Sequence, residues 1–376
     1  MKNRYKIVAI ANLTIVSITL GMSDSPLLHR AAFTDNVTEL KKLLENLTDT
    51  ADLEIKDQNG YTALHCAALS RTSDTAQLLL DAGADPGHGT HNTPLLTAAK
   101  CKNFETAELL LKRGANVMAT KNSGHACGSS DEGATALHYA AMTNDMQMAK
   151  LLINYGAEID NVRGKWISYT PLHDAVNNNN LAMAWFLLQN EANANAVAEG
   201  KFTLKNYAVL LKVRHTPLHM AVAEDYQTMA KLLIDSGADI QAKGCMNYQP
   251  LHFARSPEVA QMLLDAGANL HATSRTNKSP LQLAVATKSA AANLLLAHTE
   301  NYHSQQGNGA SPLHCLVEKF EARPVEIPQS ALRSMIENGL ELIDHDSSEI
   351  RSIQNEWLPS TGWFEDQNPC KRLRKS

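Results

Sequence analysis

The chain has 376 residues, of which 44 % are hydrophobic and 19 % charged, and 34 Lys+Arg against 39 Asp+Glu leave a net charge of -5. That composition excludes a disordered or fibrous chain, and its mild acidity supplies no general attraction to nucleic acid or to an anionic membrane, which basic stripes normally meet. The six Cys, at 66, 101, 127, 245, 315 and 370, form neither a disulfide framework nor a Cys-x-x-Cys pair, and are expected as reduced, mostly packed thiols.

At the amino end, Lys2, Arg4 and Lys6 precede an apolar run from Ile7 to Leu20, with small-residue positions at Thr19 and Gly21. The pattern resembles a secretory signal peptide, and the run is shorter than the roughly 20 residues that span a bilayer. Two readings stand side by side: residues 1–21 act as an export signal, or Met22 is the true start. The first implies an exported or secreted protein, the second a cytoplasmic one.

Beyond that segment a short phrase returns eight times: Thr62-Ala-Leu-His65, Thr93-Pro-Leu-Leu96, Thr135-Ala-Leu-His138, Thr170-Pro-Leu-His173, Thr216-Pro-Leu-His219, Gln249-Pro-Leu-His252, Ser279-Pro-Leu-Gln282 and Ser311-Pro-Leu-His314. Its Leu recurs at steps of 31, 42, 35, 46, 33, 30 and 32 residues. A second phrase, seen at Gly83-Ala-Asp, Gly114-Ala-Asn, Gly156-Ala-Glu, Glu191-Ala-Asn and Gly237-Ala-Asp, lies 19 residues after the phrase Leu each time. Thr or Ser offers a hydroxyl to the free N–H groups of a new helix, and Pro suits the first helical position, so each phrase predicts a helix start. Ala pairs such as Ala67-Ala68 and Ala140-Ala141 allow close helix approach. A polar turn and a second apolar run, such as Met148 to Ile153, predict a second helix that ends at the Gly. Helices this short do not persist alone, so each pair must bury its apolar face against its neighbours.

These residues resemble the ankyrin repeat, whose unit of about 33 residues carries Thr-Pro-Leu-His at its first helix. The resemblance implies an all-α solenoid of helix-turn-helix units with β-hairpin fingers. With a degenerate opening copy at Leu28 to Ala32, about nine repeats are expected over 25–344, followed by a tail at 345–376. The step of 42 inserts a Gly/Ser-rich stretch, Ser123 to Gly133, predicting an enlarged, mobile finger near 119–134. The step of 46 inserts Glu199 to Arg214, rich in strand formers, predicting an enlarged hairpin near 197–214. In the copy at Leu251 the turn between helices is expected to be trimmed near Arg255-Ser-Pro, and Gly307-Asn-Gly309 is read as a tight finger turn.

Of the fifteen His, those at 29, 65, 138, 173, 219, 252 and 314 share one repeat slot and are read as structural; by resemblance they tie each loop to the next repeat. His88, His91, His125 and Cys127 form a weak zinc-type set, weighed and set aside. His303 with Gly307-Asn-Gly309 is faintly similar to the motif of Fic-type nucleotide transferases, but the flanking Pro-Phe and Arg are missing. No P-loop, Ser/His/Asp set or His-Glu-x-x-His is present. The expected function is therefore a non-enzymatic, cofactor-free scaffold for protein–protein interaction, acting as a monomer with no stable membrane span and no nucleic-acid partner. One alternative is an exported effector that uses the same array on a host protein; another is a metal-dependent or enzymatic role.

The family's recognition surface implies a groove lined by the residue before each phrase and by first-helix positions after the small pair. The candidates are Tyr61, Asn92, Tyr169, His215, Tyr248 and Lys278, then Met142, Asn177 and Arg255, with Ser70, Lys100 and Glu224 in equivalent slots, and Trp166 as a large finger aromatic. The apolar content of the inserted hairpin, with Phe202 and Tyr207, suggests a protruding finger that adds a further contact.

Overall fold

The computed structural model describes residues 26–306, except 48, 71, 90–91, 123–130, 165–167, 204–209 and 288. The signal-like segment 1–21, the copy at Ser311, the tail at 345–376 and most of the Gly/Ser-rich finger insertion lie outside the described residues. The chain divides into two compact units, Met1–Ala192 and Asn193–Ser376.

The first unit stacks five helix pairs among its described residues: α1 (Leu27–Phe33) with α2 (Val37–Glu45), α3 (Ala63–Leu69) with α4 (Asp74–Asp81), α5 (Pro94–Cys101) with α6 (Phe104–Lys112), α7 (Ala136–Thr143) with α8 (Met146–Asn154), and α9 (Pro171–Asn177) with α10 (Leu181–Gln189). The first helix of every pair packs on the first helix of the next, α1 on α3, α3 on α5, α5 on α7 and α7 on α9. This stacking needs small residues in the seam. Ala67, Ala68, Ala98, Ala99, Ala140 and Ala141 are completely covered, with Leu64, Leu95, Leu137 and Leu172 beside them. Burying one such Leu contributes about 2 kcal/mol, which no helix of seven to nine residues obtains alone.

In the second unit β1 (Ala198–Thr203) and β2 (Leu210–His215) pair antiparallel, from Ala198 opposite His215 to Thr203 opposite Leu210. They are followed by α11 (Pro217–Ala223) and α12 (Gln227–Asp235), a 3-10 turn at Cys245–Asn247, a second at Pro250–Phe253 with α13 (Pro257–Asp265), and α14 (Pro280–Ala286) with α15 (Ala291–Gln306). The inserted stretch is thus a hairpin, which strand-forming residues on both sides of its tip favour.

Two local expectations change. In the copy at Leu251 the shortening reaches beyond the turn into the first helix, which is reduced to the 3-10 turn Pro250–Phe253. The cause is Pro257, which holds Ser256 extended so that this residue caps α13, with Val259 N–H donating to Ser256 Oγ at 3.3 Å. The second change concerns α15, which runs on through His303 to Gln306, where the sequence placed the approach to a finger. Its slot 19 residues after Leu281 holds Glu300 instead of Gly, and no left-handed residue stops the helix there. In the copies at Leu64, Leu95, Leu137 and Leu218 that slot is Gly at positive φ, and Glu191 adopts the same conformation at φ 69° despite its Cβ.

Candidate functional site

His65, His138, His219 and His252 are each fixed at both ring nitrogens. The Thr62, Thr135, Thr170, Thr216 and Gln249 backbone N–H groups donate to the Nδ1 of the His three residues on, at 3.0–3.3 Å. Nδ1 is therefore the acceptor and Nε2 carries the proton. That Nε2–H donates across to the next repeat: His29 to the Tyr61 carbonyl at 2.9 Å, His65 to Asn92 at 3.2 Å, and His138 to Tyr169, His219 to Tyr248 and His252 to Lys278, each at 3.1 Å. Burial drives the His65 and His138 pKa down to about 4 and that of His219 to about 3, so these rings stay neutral in the folded chain.

The carbonyls that accept these bonds belong to the residues expected to line the groove, which gives those residues a structural duty. Tyr61, Asn92, Tyr169, His215, Tyr248 and Lys278 are all half-buried. The Tyr61, Tyr169 and Tyr248 rings lean on the His of their own phrase at 5.4, 5.6 and 5.3 Å between centroids, and His215 contacts His219 at 6.0 Å. Asn92 Nδ2 donates to Thr97 Oγ1 at 2.8 Å. Among the first-helix positions, Met142, Asn177, Lys100, Glu224 and Arg255 are half-buried, whereas Ser70 is buried and bonds back to the Ala67 and Thr72 carbonyls. Phe202 sits on β1 opposite Leu211. Trp166 and Tyr207 lie outside the described residues, as do His91, His125 and Cys127; His88 Nδ1 stands 3.1 Å from Glu54 Oε2.

In the first unit the fingers and first helices share a polar network. Arg163 and Tyr169 exchange backbone bonds at 2.8 and 2.9 Å, which sets the Arg163 guanidinium 5.4 Å from the Tyr169 ring centroid. Its Nε donates to Asp174 Oδ2 at 2.8 Å and its Nη2 to Asp174 Oδ1, a bidentate pair. The two side chains are only 10 % and 1 % exposed. Burial works against the Arg163 charge, but Asp174 outweighs it and raises the guanidinium pKa. Burial also raises Tyr169, to about 12, and raises Tyr139, whose hydroxyl donates to Asp131 Oδ2 at 2.7 Å beneath the Lys100 ammonium.

Sequence reasoning missed Arg163 and Asp174. The available signal was the slot after the phrase His, where Asp174 stands among Cys66, Thr97, Tyr139, Met220, Phe253 and Leu283. It also missed Trp185 and Leu181, an exposed pair one turn apart on α10; the Trp185 slot holds Gln77, Glu108, Lys150, Lys231 or Gln261 in other copies.

In the second unit an aromatic cluster replaces the ion pair. Phe253 meets Tyr248 at 5.6 Å, His219 at 6.0 Å and His215 at 6.3 Å, all edge-on, and burial lowers the His215 pKa to about 4.

A family model for ankyrin repeats matches residues 28–121, 118–198 and 201–274, more than half of the chain. The chain belongs to the ankyrin-repeat family. It is 31 % identical over 241 residues to the mouse B-cell lymphoma 3 protein homolog, covering 63 % of this chain and 49 % of that protein. It is 33 % identical over 145 residues to the bovine mitochondrial disaggregase, covering 39 % of this chain and 20 % of that one. The chain thus spans half or less of the length of these curated relatives. The crystal structure of the Bcl-3 ankyrin repeat domain superposes with a TM-score of 0.52 at 29 % identity, over 64 % of this chain and 99 % of that domain. The fold is accordingly an all-α ankyrin-repeat solenoid with hairpin fingers, and it is a protein–protein interaction domain. Such repeats are typically non-enzymatic modules. Among the described residues no helix is long and apolar enough to cross a membrane.

Proposed function

We propose that the protein is a non-enzymatic scaffold that holds a partner protein on the face formed by its fingers and first helices. The observation that carries this reading recurs in each unit by itself, at Tyr61 and Tyr169 in the first and at Tyr248 in the second. Each is half-buried, locked by its carbonyl to the preceding His and by its ring to its own phrase, and so loses little entropy when a partner covers what remains exposed. The same reading continues the array past Ser311 as a ninth copy ending near Asp344.

The test is affinity capture with the full chain as bait, followed by mass spectrometry, repeated with Tyr169→Ala and Tyr248→Ala and with Trp185→Ala on the second helix of its repeat. The expected outcome is a partner lost by the two Tyr variants at unchanged circular dichroism and retained by Trp185→Ala. Capture indifferent to both Tyr changes overturns the assignment.

A further inference from the structure

The fingers of the two units differ in charge. In the first unit, residues 55–62, 86–93, 117–135 and 159–170 carry four Lys/Arg and four Asp/Glu. In the second, residues 198–215, 240–249 and 270–279 carry seven Lys/Arg and one acid, Glu199, within a chain whose net charge is -5. The cations of the second unit lie on fingers that touch one another. The turn Cys245–Asn247 packs against β2, a Cβ on Gly244 would stand 2.9 Å from the Arg214 carbonyl oxygen, and the Arg275 N–H donates to the Met246 carbonyl at 2.7 Å. Arg214, Lys243 and Arg275 are exposed and Lys278 half-buried.

A further observation concerns the partners of these cations. Among the described residues no carboxylate pairs with Lys243, Arg275 or Lys278, and the Arg214–Glu199 contact is an exposed one at 3.4 Å.

We propose that the described finger cations of the second unit, Arg214, Lys243, Arg275 and Lys278, form a docking surface for an acidic, Asp/Glu-rich segment of the partner protein, a proposal that rests on the protein-binding reading above. Charge complementarity selects the occupant. A single-stranded nucleic acid fits less well, because such ligands need open aromatic faces for base stacking, whereas Tyr248, His215 and Phe253 are packed edge-on among themselves.

The experiment is fluorescence anisotropy of the full chain with a labelled Glu/Ser-rich peptide, and separately with an oligothymidylate of the same charge, in low and high salt. The peptide is expected to bind in low salt and to be released by salt. The double variant Lys243→Glu with Arg275→Glu should weaken it roughly tenfold, and Lys56→Glu in the first unit should leave it unchanged. The proposal is overturned by absence of peptide binding, by indifference to the double charge reversal, by tighter binding of the oligothymidylate, or by salt-sensitive self-association that places a second copy of this acidic chain there. Partner capture that survives the double reversal but fails with Tyr169→Ala removes the acidic docking site and leaves the scaffold reading standing; loss of capture in both supports the two together.

Discussion

The two units use the same His-to-carbonyl stitch between repeats, but they treat charge on their fingers in opposite ways. In the first, Arg163 is buried against Asp174, and Asp131 accepts from Tyr139, so the charges of these groups are consumed by contacts inside the unit. In the second, Lys243 and Arg275 face water with no carboxylate beside them among the described residues, and the corresponding interior is filled by rings around Phe253. Buried and paired charge fixes the geometry of a surface, whereas exposed and unpaired charge leaves it ready to meet something else.

The largest expected effect is one the units share. His65 and His138 in the first unit and His219 in the second are neutral when folded, with pKa values near 4, 4 and 3, but titrate near 6.5 once unfolded. The unfolded chain therefore binds more protons between these limits, and stability falls as pH drops from about 6.5 toward 4, by about 1.4 kcal/mol per pH unit for each ring. Urea titrations followed by circular dichroism should show this loss over that window and little change from these groups above pH 7. A stability that holds level down to pH 4.5 would mean the stitches do not depend on neutral His.

The next effect separates the units. Asp174→Ala strands a buried guanidinium and should cost about 3–5 kcal/mol, while Lys243→Glu with Arg275→Glu should stay within about 0.5 kcal/mol per site. Equal costs would erase the distinction between consumed and open charge. Smaller still is Glu191→Gly, which removes a side chain from left-handed backbone and should stabilise the chain by about 1 kcal/mol. Deleting 200–212 should leave the helical signal and melting temperature nearly intact, because a finger lies outside the helix stack; global unfolding would show that the hairpin is part of the core.

The stack was legible because its physics is local and repeated. Thr93, Thr170, Thr216 and Ser279 cap their helices with Pro at the first position, as the phrase required. What single copies do differently was harder to read. Arg163 and Asp174 lie 11 residues apart, one in a finger and one in a helix, and the backbone bridge between Arg163 and Tyr169 helps to bring them together. The length of α15 rests on a missing stop signal at Glu300, and Glu191 shows that a missing Gly does not by itself prevent a helix end. The candidate surface was legible as a row of positions; the structural use of their carbonyls was not, since it depends on the neighbouring repeat.

Hydrogen–deuterium exchange of the full chain, with and without its captured partner, reads the binding face directly. The scaffold account predicts slowed exchange at the finger peptides that carry Tyr61, Tyr169 and Tyr248, with α12 and α13 unchanged. Slowed exchange confined to those two second helices, with the fingers unaffected, would contradict it.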